Sequence, residues 1–531
     1  MKTISNPILK GFNPDPSIVR VGDDYYIATS SFEWYPGVQI HHSKDLINWR
    51  LVSRPLSRQA QLDMRGAPDS CGVWAPCLSY SDGQFWLIYT DVKRFDGNFK
   101  DAHNYLTTCP TIDGEWSDPI YMNSSGFDPS LFHDEDGKKW FLNMVWDHRK
   151  NANFFGGILL QEYSVEKQAL VGPVKNIFKG SGLGLTEAPH LYRRNGYYYL
   201  VTAEGGTEYE HVMIMARSKN IDGPYEVDPI GPFITTKHDP ESPIQRSGHG
   251  DWVETQNGEF YAVHLCTRPY SPTSRYSPMG RETSIQKVEW NDDGWLRLSH
   301  GGVCPSVEVP APDFPEQPWP EADARDDFEE PTLPSKYQWL RTPEPERLFS
   351  LNARKGHLRV YGRESLGSLY ESALVACRPT DFSFDATCKV DFNPQHFQQL
   401  AGLTCYYNSH KFYYLYISRN DNGVKYLDIM SCQGNDDLML TYPLDATVEL
   451  PENVEIHLQA RVRETELTFA WSIDGEDWQP VPAKLDYLVI SDEAGNGAGE
   501  NFTGSFVGMC CQDISGTVLH ADFDYFEYKA Q

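Results

Sequence analysis

Basic residues are scarce in this chain: 46 Lys and Arg stand against 74 Asp and Glu, a formal charge of −28 over 531 residues. So acidic a surface repels phosphate backbones and anionic headgroups, which argues against nucleic acid and acidic membranes as partners. It suits neutral or cationic small molecules, and a solvated acidic face accounts for it equally well. Long apolar runs are also lacking. Nothing approaches the roughly 18 residues of a membrane span, and the opening "MKTISNPILKGFNPDP" has no apolar core of signal-peptide length. The expectation is no membrane contact and a cytoplasmic location. The 11 cysteines are scattered, with one adjacent pair at Cys510 and Cys511 and no C-x-x-C spacing. That excludes the usual cysteine metal motifs and points to reduced thiols rather than a disulfide framework, with no metal and no cofactor expected.

What is abundant is β-forming material: 13% aromatic residues and 41 glycines, in a chain long enough for two or three domains. One phrase recurs. "FNPDPSIVRVGDDYYI", "APCLSYSDGQFWLIY", "DPSLFHDEDGKKWFLNM", "EAPHLYRRNGYYYLV" and "HGDWVETQNGEFYAV" each run from a small or acidic opener through half-apolar residues and a tight turn into an aromatic-rich strand. Aligned on Pro16, Pro76, Pro129 and Pro189, with Asp251 in the fifth copy, the intervals are 60, 53, 60 and 62 residues. An all-β period of this size predicts propeller blades, five of them, over residues 1–303; a solenoid or large sandwich would compete for the same spacing. The Gly-Asp, Asp-Gly and Asn-Gly pairs fall where a hairpin turn requires positive φ.

From Cys304 the texture changes. Residues 304–325 carry prolines at 305, 310, 312, 315, 318 and 320, which predicts a stiff extended connector. Residues 326–531 then alternate again, in runs such as "FDATCKVDF", "KFYYLYIS" and "VEIHLQARV", without helical periodicity. These predict a β-sandwich.

In a propeller the first strand of each blade lines the axis, so matching positions converge on one cavity. Asp15 and Asp128 directly precede the aligned proline, which fixes the chain entering the strand and so aims the acid. Glu187 lies one residue further upstream, where the second copy has Trp74 and the fifth has His249. Singly, each has an ordinary structural explanation as a turn acid, a hydrogen-bonded histidine or a core ring. Their shared register points instead to an axial site. Paired carboxyls without a metal motif or an activated Ser or Cys fit acid–base cleavage of a glycosidic bond, with one group ionised to activate water and another protonated to release the leaving oxygen. A third carboxylate nearby would raise the pKa of the acid. Aromatic residues such as those of "SSFEWYPG" suit the C–H face of a sugar.

The set "NPDPSI", "GVWAPCLSY", "GFDPSLF", "TEAPHLY", "GHGDWV" and "MGRETSI" resembles glycoside hydrolase family 43, and within it the two-domain β-xylosidases, over nearly the whole chain. The resemblance implies a five-bladed β-propeller followed by a concanavalin-like jelly-roll β-sandwich, whose "FTGSFVGMCCQD" reaches toward the site. It implies Asp15 as general base, Glu187 as general acid and Asp128 as the carboxylate that orients the acid and modulates its pKa. Arg281 matches a sugar-binding arginine, Phe32, Trp74 and Trp146 match pocket walls, His249 an axial polar contact, and Phe506 the aromatic lent by the sandwich, with Phe502 the alternative. The implied activity is that of an inverting exo-β-1,4-xylosidase on xylo-oligosaccharides, in a homo-oligomer, a tetramer being the expectation. An α-L-arabinofuranosidase or bifunctional enzyme, a retaining enzyme and a non-catalytic sugar-binding propeller are the alternatives.

Overall fold

A computed structural model describes residues 2–435, 439–495 and 501–531, and these are β throughout except for 3₁₀ turns at Pro345–Arg347 and Tyr487–Val489. Five four-stranded antiparallel sheets follow one another in chain order. Their first strands are Ser17–Val21, Gly72–Ser81, Ser130–His133, Glu187–Arg194 and Gln245–Glu254. Each lies beside the next, and Gln245–Glu254 returns to Ser17–Val21, so the ring closes as a five-bladed propeller. The turns are those the sequence predicts: Asp82 and Gly83 have φ of +55° and +76°, Asn195 and Gly196 +49° and +78°. Both central residues of a type I′ hairpin turn need positive φ, and these pairs adopt it at the least steric cost, whereas at Gly22–Asp23 and Asp136–Gly137 only the glycine has it.

Closure is reinforced twice. Thr3–Ser5 pairs with Glu308–Pro310, so the two ends of the propeller chain are hydrogen-bonded to each other. Asp251, standing where four blades have proline, accepts from the Ile18 N–H at 2.9 Å and the Ser17 hydroxyl at 3.1 Å, which binds the last inner strand to the first. The proline-rich segment does not hang free. Its Trp319 indole donates to the Asn48 carbonyl at 3.1 Å, and the Arg50 guanidinium lies 3.8 Å from the Trp319 ring centroid.

The second unit is a sandwich of two eight-stranded antiparallel sheets. Alternation builds its core: in Phe384–Asp391, Phe384, Ala386, Cys388 and Val390 are wholly buried against residues such as Leu403 and Leu415 of the facing sheet. One sheet borrows a strand. Trp34–Tyr35, part of the propeller chain, pairs with Gln338–Leu340 and becomes the sandwich's outermost strand. Trp34 there stacks on Phe506 with centroids 3.5 Å apart, both rings fully buried, and the Arg378 guanidinium sits 4.9 Å from Phe506.

Truncating such a ring leaves a cavity in a seam that cannot collapse, at a cost of about 3–5 kcal/mol. Phe506→Ala is therefore expected to lower the unfolding midpoint, and cutting the chain after residue 325 to leave a propeller with Trp34 exposed. Intrinsic tryptophan fluorescence during urea unfolding checks both, and a Phe506→Ala midpoint equal to wild type would contradict the seam's weight.

Candidate active site

Proline ordinarily biases the residue before it toward extended backbone. Here all four pre-proline residues are left-handed: Asp15, Ala75, Asp128 and Ala188 have φ of +57°, +37°, +54° and +51°, and His249 of the proline-free fifth blade has +39°. Each such residue stores about 1–3 kcal/mol of strain. Register shifts accompany them between Trp74 and Cys77, Glu187 and His190, and Gly248 and Gly250. A bulge of this kind re-aims side chains, and repeating it around the axis turns the strand mouths inward together.

The result is a cavity of about 300 Å³ lined by Asp15, Asp128, Glu187, His249, Arg281, Phe32 and Trp74, every one placed there by the repeat register or the family resemblance. Two expected residues are corrected. Trp146 does not reach the cavity; it packs behind it on Phe155, with centroids 5.4 Å apart, and under the Lys100 ammonium at 4.4 Å. Phe506 faces the seam with Trp34, and the sandwich instead contributes Phe502, whose ring stacks on Phe32 at 6.2 Å and meets Trp74 edge-on at 5.8 Å. The reason is where the strand begins: Phe506 opens the strand Phe506–Asp513, whose residues are all buried in the sheet, whereas Phe502 lies in the loop before it. Phe127, Phe155, Phe95, Lys100 and the Gly205–Glu208 segment also line the cavity and were missed. Phe127 was legible, because it holds the register of Trp74 and Glu187. Phe155 opens the third strand of its blade, Phe155–Ser164, and the others come from loops outside the repeat.

The carboxyls differ in their partners. Asp15 accepts from the Ser30 hydroxyl at 2.6 Å and Arg281 Nη1 at 3.1 Å, with His249 Nδ1 3.7 Å away. Burial opposes its charge, but Arg281, His249 and Ser30 together hold its pKa below the usual value. Among the described residues no cation stands at bonding distance from Glu187. Burial, then the charge of Asp15, push it up to about 8, against the weaker pull of Arg281 and Lys100. Asp128 departs from expectation. It is itself raised well above the carboxylate range, by burial first and then by Glu187 and Asp15. Adjacent buried carboxyls cannot both ionise. Asp128 is thus pushed toward the protonated form rather than supplying the charge that raises Glu187, and the Ala188 N–H, next to Glu187 in the chain, pulls it the other way. Burial also pushes His249 down to about 4, leaving a neutral imidazole.

No group of three or more His, Cys, Asp or Glu among the described residues is placed to hold a metal ion. Nor is any described helix long and apolar enough to cross a membrane.

A propeller whose axial cavity pairs an ionised carboxylate with a protonated one, among aromatic rings, has the equipment of a glycoside hydrolase. Residues 4–296 match glycosyl hydrolases family 43, and residues 325–529 match the beta xylosidase C-terminal concanavalin A-like domain. The chain belongs to family 43. Xylosidase/arabinosidase 43B of Humicola insolens is 53% identical over 533 residues, spanning 100% of this chain and 98% of that protein. A beta-xylosidase of Bacillus subtilis (strain 168) is 51% identical over 538 residues, 99% of each chain. The crystal structure of xylan beta-1,4-xylosidase from Bacillus halodurans C-125 superposes with a TM-score of 0.97 at 53% identity, covering 99% of this chain and 100% of that one.

Because Glu187 has a pKa of about 8 when folded and 4.5 as a free side chain, the folded state binds a proton that the unfolded chain releases between those values. Stability from this group is full below pH 4.5 and lost as pH rises toward 8. Glu187→Gln carries no such loss, so its melting temperature relative to wild type is expected to climb between pH 5 and 8. A pH-independent difference in thermal scans would mean that Glu187 ionises normally.

Proposed function

We propose that the enzyme is an inverting exo-β-1,4-xylosidase that removes single xylose units from the non-reducing ends of short xylo-oligosaccharides. The observation that carries this reading is the division of protons in the cavity: Asp15 held ionised, Glu187 held protonated to about 8. Such a separation assigns base and acid at neutral pH. Asp15 takes a proton from water as it attacks the anomeric carbon, and Glu187 gives its proton to the leaving oxygen. Asp128, whose pKa is raised by burial and by Glu187, is the carboxyl assigned to orient the acid. The rings of Phe32, Trp74 and Phe502 line the cavity where the faces of a pyranose can pack, and Arg281 has a guanidinium N–H group, at Nε, without an acceptor among the described residues. A cavity of about 300 Å³ lies at the small end for ligand sites, which favours chain ends over the interior of a polymer. The reading extends to a cytoplasmic homo-oligomer working on short imported chains, which sedimentation and cell fractionation would test.

A second reading, arabinofuranosidase side activity, draws on the double name of the Humicola relative. Rates on the nitrophenyl glycosides of xylose and arabinose separate the two.

Proton NMR of xylobiose hydrolysis is expected to show α-xylose first, since water attacks opposite the leaving group; β-xylose first would reverse the assignment to a retaining mechanism. Phe502→Ala is expected to raise KM by about tenfold or less with a smaller change in kcat. Equal losses in kcat and kcat/KM would place Phe502 in transition-state stabilisation instead. Asp128→Asn replaces a neutral acid by a neutral amide, so the alkaline limb of kcat/KM should stay near pH 8 although the rate falls. A limb displaced to lower pH would show that Asp128 is ionised.

A further inference from the structure

The alignment of Arg281 begins outside the cavity. Glu33 follows Phe32 in the chain, but it does not line the cavity and is wholly buried beside the sandwich. Its Oε2 accepts from the Thr503 hydroxyl at 2.8 Å, and Thr503 is equally buried. Thr503 follows Phe502, whose N–H donates to the Ser70 hydroxyl at 3.0 Å and whose carbonyl accepts from Arg281 Nη2 at 3.0 Å. The other arm of that guanidinium, Nη1, is the one on Asp15. A continuous chain of contacts therefore runs from Glu33 through the sandwich loop and back to the carboxylate on the axis.

Glu33 is an expensive residue to bury. Its Oε1 has no hydrogen-bond partner among the described residues, and a desolvated carboxyl without full pairing costs free energy. Arg341 faces it but is committed to Asp69 at 2.7 Å, while Asp69 also accepts from Ser409 and approaches His410 at 3.5 Å. The Tyr406 hydroxyl borders the same cluster. Burial and then Asp69 push Glu33 up to about 7, with Arg341 and Thr503 pulling the other way. An apolar residue of that size would satisfy the seam more cheaply. What Glu33 supplies and an apolar residue does not is an acceptor for Thr503.

We propose that Glu33 is a positioning residue for catalysis, which through Thr503 sets the loop whose Phe502 carbonyl aligns Arg281 on Asp15. The proposal rests on Asp15 being the general base. Arg281 is the largest of the influences that hold Asp15 ionised against burial, so a misaligned guanidinium lets the Asp15 pKa rise. That change appears in the acidic limb of kcat/KM, which a purely structural defect would leave in place.

The bond can be cut from either end, by Thr503→Val or Glu33→Ala, and kept by Thr503→Ser or Glu33→Gln. Each variant is assayed as the full chain, with its melting temperature recorded. The cutting variants are expected to move the acidic limb to higher pH and to lose about tenfold in kcat/KM, the size of one charge-assisted hydrogen bond, while the conservative variants restore the wild-type profile. Adding Thr503→Val to Arg281→Ala should cost nothing further, because both act through one contact. If one cutting variant fails to fold, the other with its conservative partner decides. A folded cutting variant with an unmoved limb, or losses that simply add to those of Arg281→Ala, would overturn the proposal. The base assignment is checked separately: Asp15→Asn should abolish turnover while still binding xylose by calorimetry. Residual turnover there would sink the reading of Asp15, whereas an intact Asp15 result with an unmoved limb would sink only the role of Glu33.

Discussion

A carboxylate leaves water only if a cation, hydrogen bonds or a proton compensates it, and this cavity buries three carboxyls around one bonded guanidinium. Arg281 lies against Asp15, and much else follows from that choice. The carboxyl that receives the cation is ionised. The two that do not, Glu187 and Asp128, keep their protons, and they keep them partly because Asp15 is charged. The ionised and the protonated carboxyls are thus two outcomes of one electrostatic allocation. The strained strand mouths are the cost of bringing these groups together: Asp15 and Asp128, which both line the cavity, both have left-handed backbone.

The sandwich enters this allocation through its backbone more than its surface. The Phe502 carbonyl occupies one arm of Arg281, leaving the other for Asp15, so the second domain orients the cation that fixes the proton distribution. Hydrophobic burial holds the arrangement: Trp34 on Phe506, with Phe12 edge-on at 6.1 Å. Polar groups supply the register within that apolar seam, as Thr503 does on Glu33.

How much of this could be read from the sequence depended on repetition. Asp15, Trp74, Asp128, Glu187 and His249 occupy related positions of a repeat, and a repeat in a propeller means one axis, so their meeting was legible before any coordinates. Phe127 was equally legible, standing two residues before Pro129 as Trp74 stands before Pro76 and Glu187 before Pro189. Lys100 and the Gly205–Glu208 segment belong to loops with no internal counterpart, and nothing local marks them. Trp146 and Phe506 were misplaced for a different reason: each stands at the end of a strand, Lys139–Trp146 and Phe506–Asp513, with other rings nearby, and which ring faces the cavity depends on where the strand stops or starts. The protonation of Asp128 was illegible because it depends on which neighbour holds the cation, a three-dimensional fact.

The borrowed strand Trp34–Tyr35 has a consequence in time. Its partner, Gln338–Leu340, emerges from the ribosome roughly 300 residues later, which at ~5–20 residues per second is a delay of about 15–60 seconds. For that interval the nascent propeller carries an unpaired strand bearing the indole of Trp34, an edge that could pair with another chain. Synthesis of this protein therefore includes a waiting period during which its most adhesive segment is complete and its proper cover does not yet exist, and the crowding of ribosomes on one message becomes a variable in its yield.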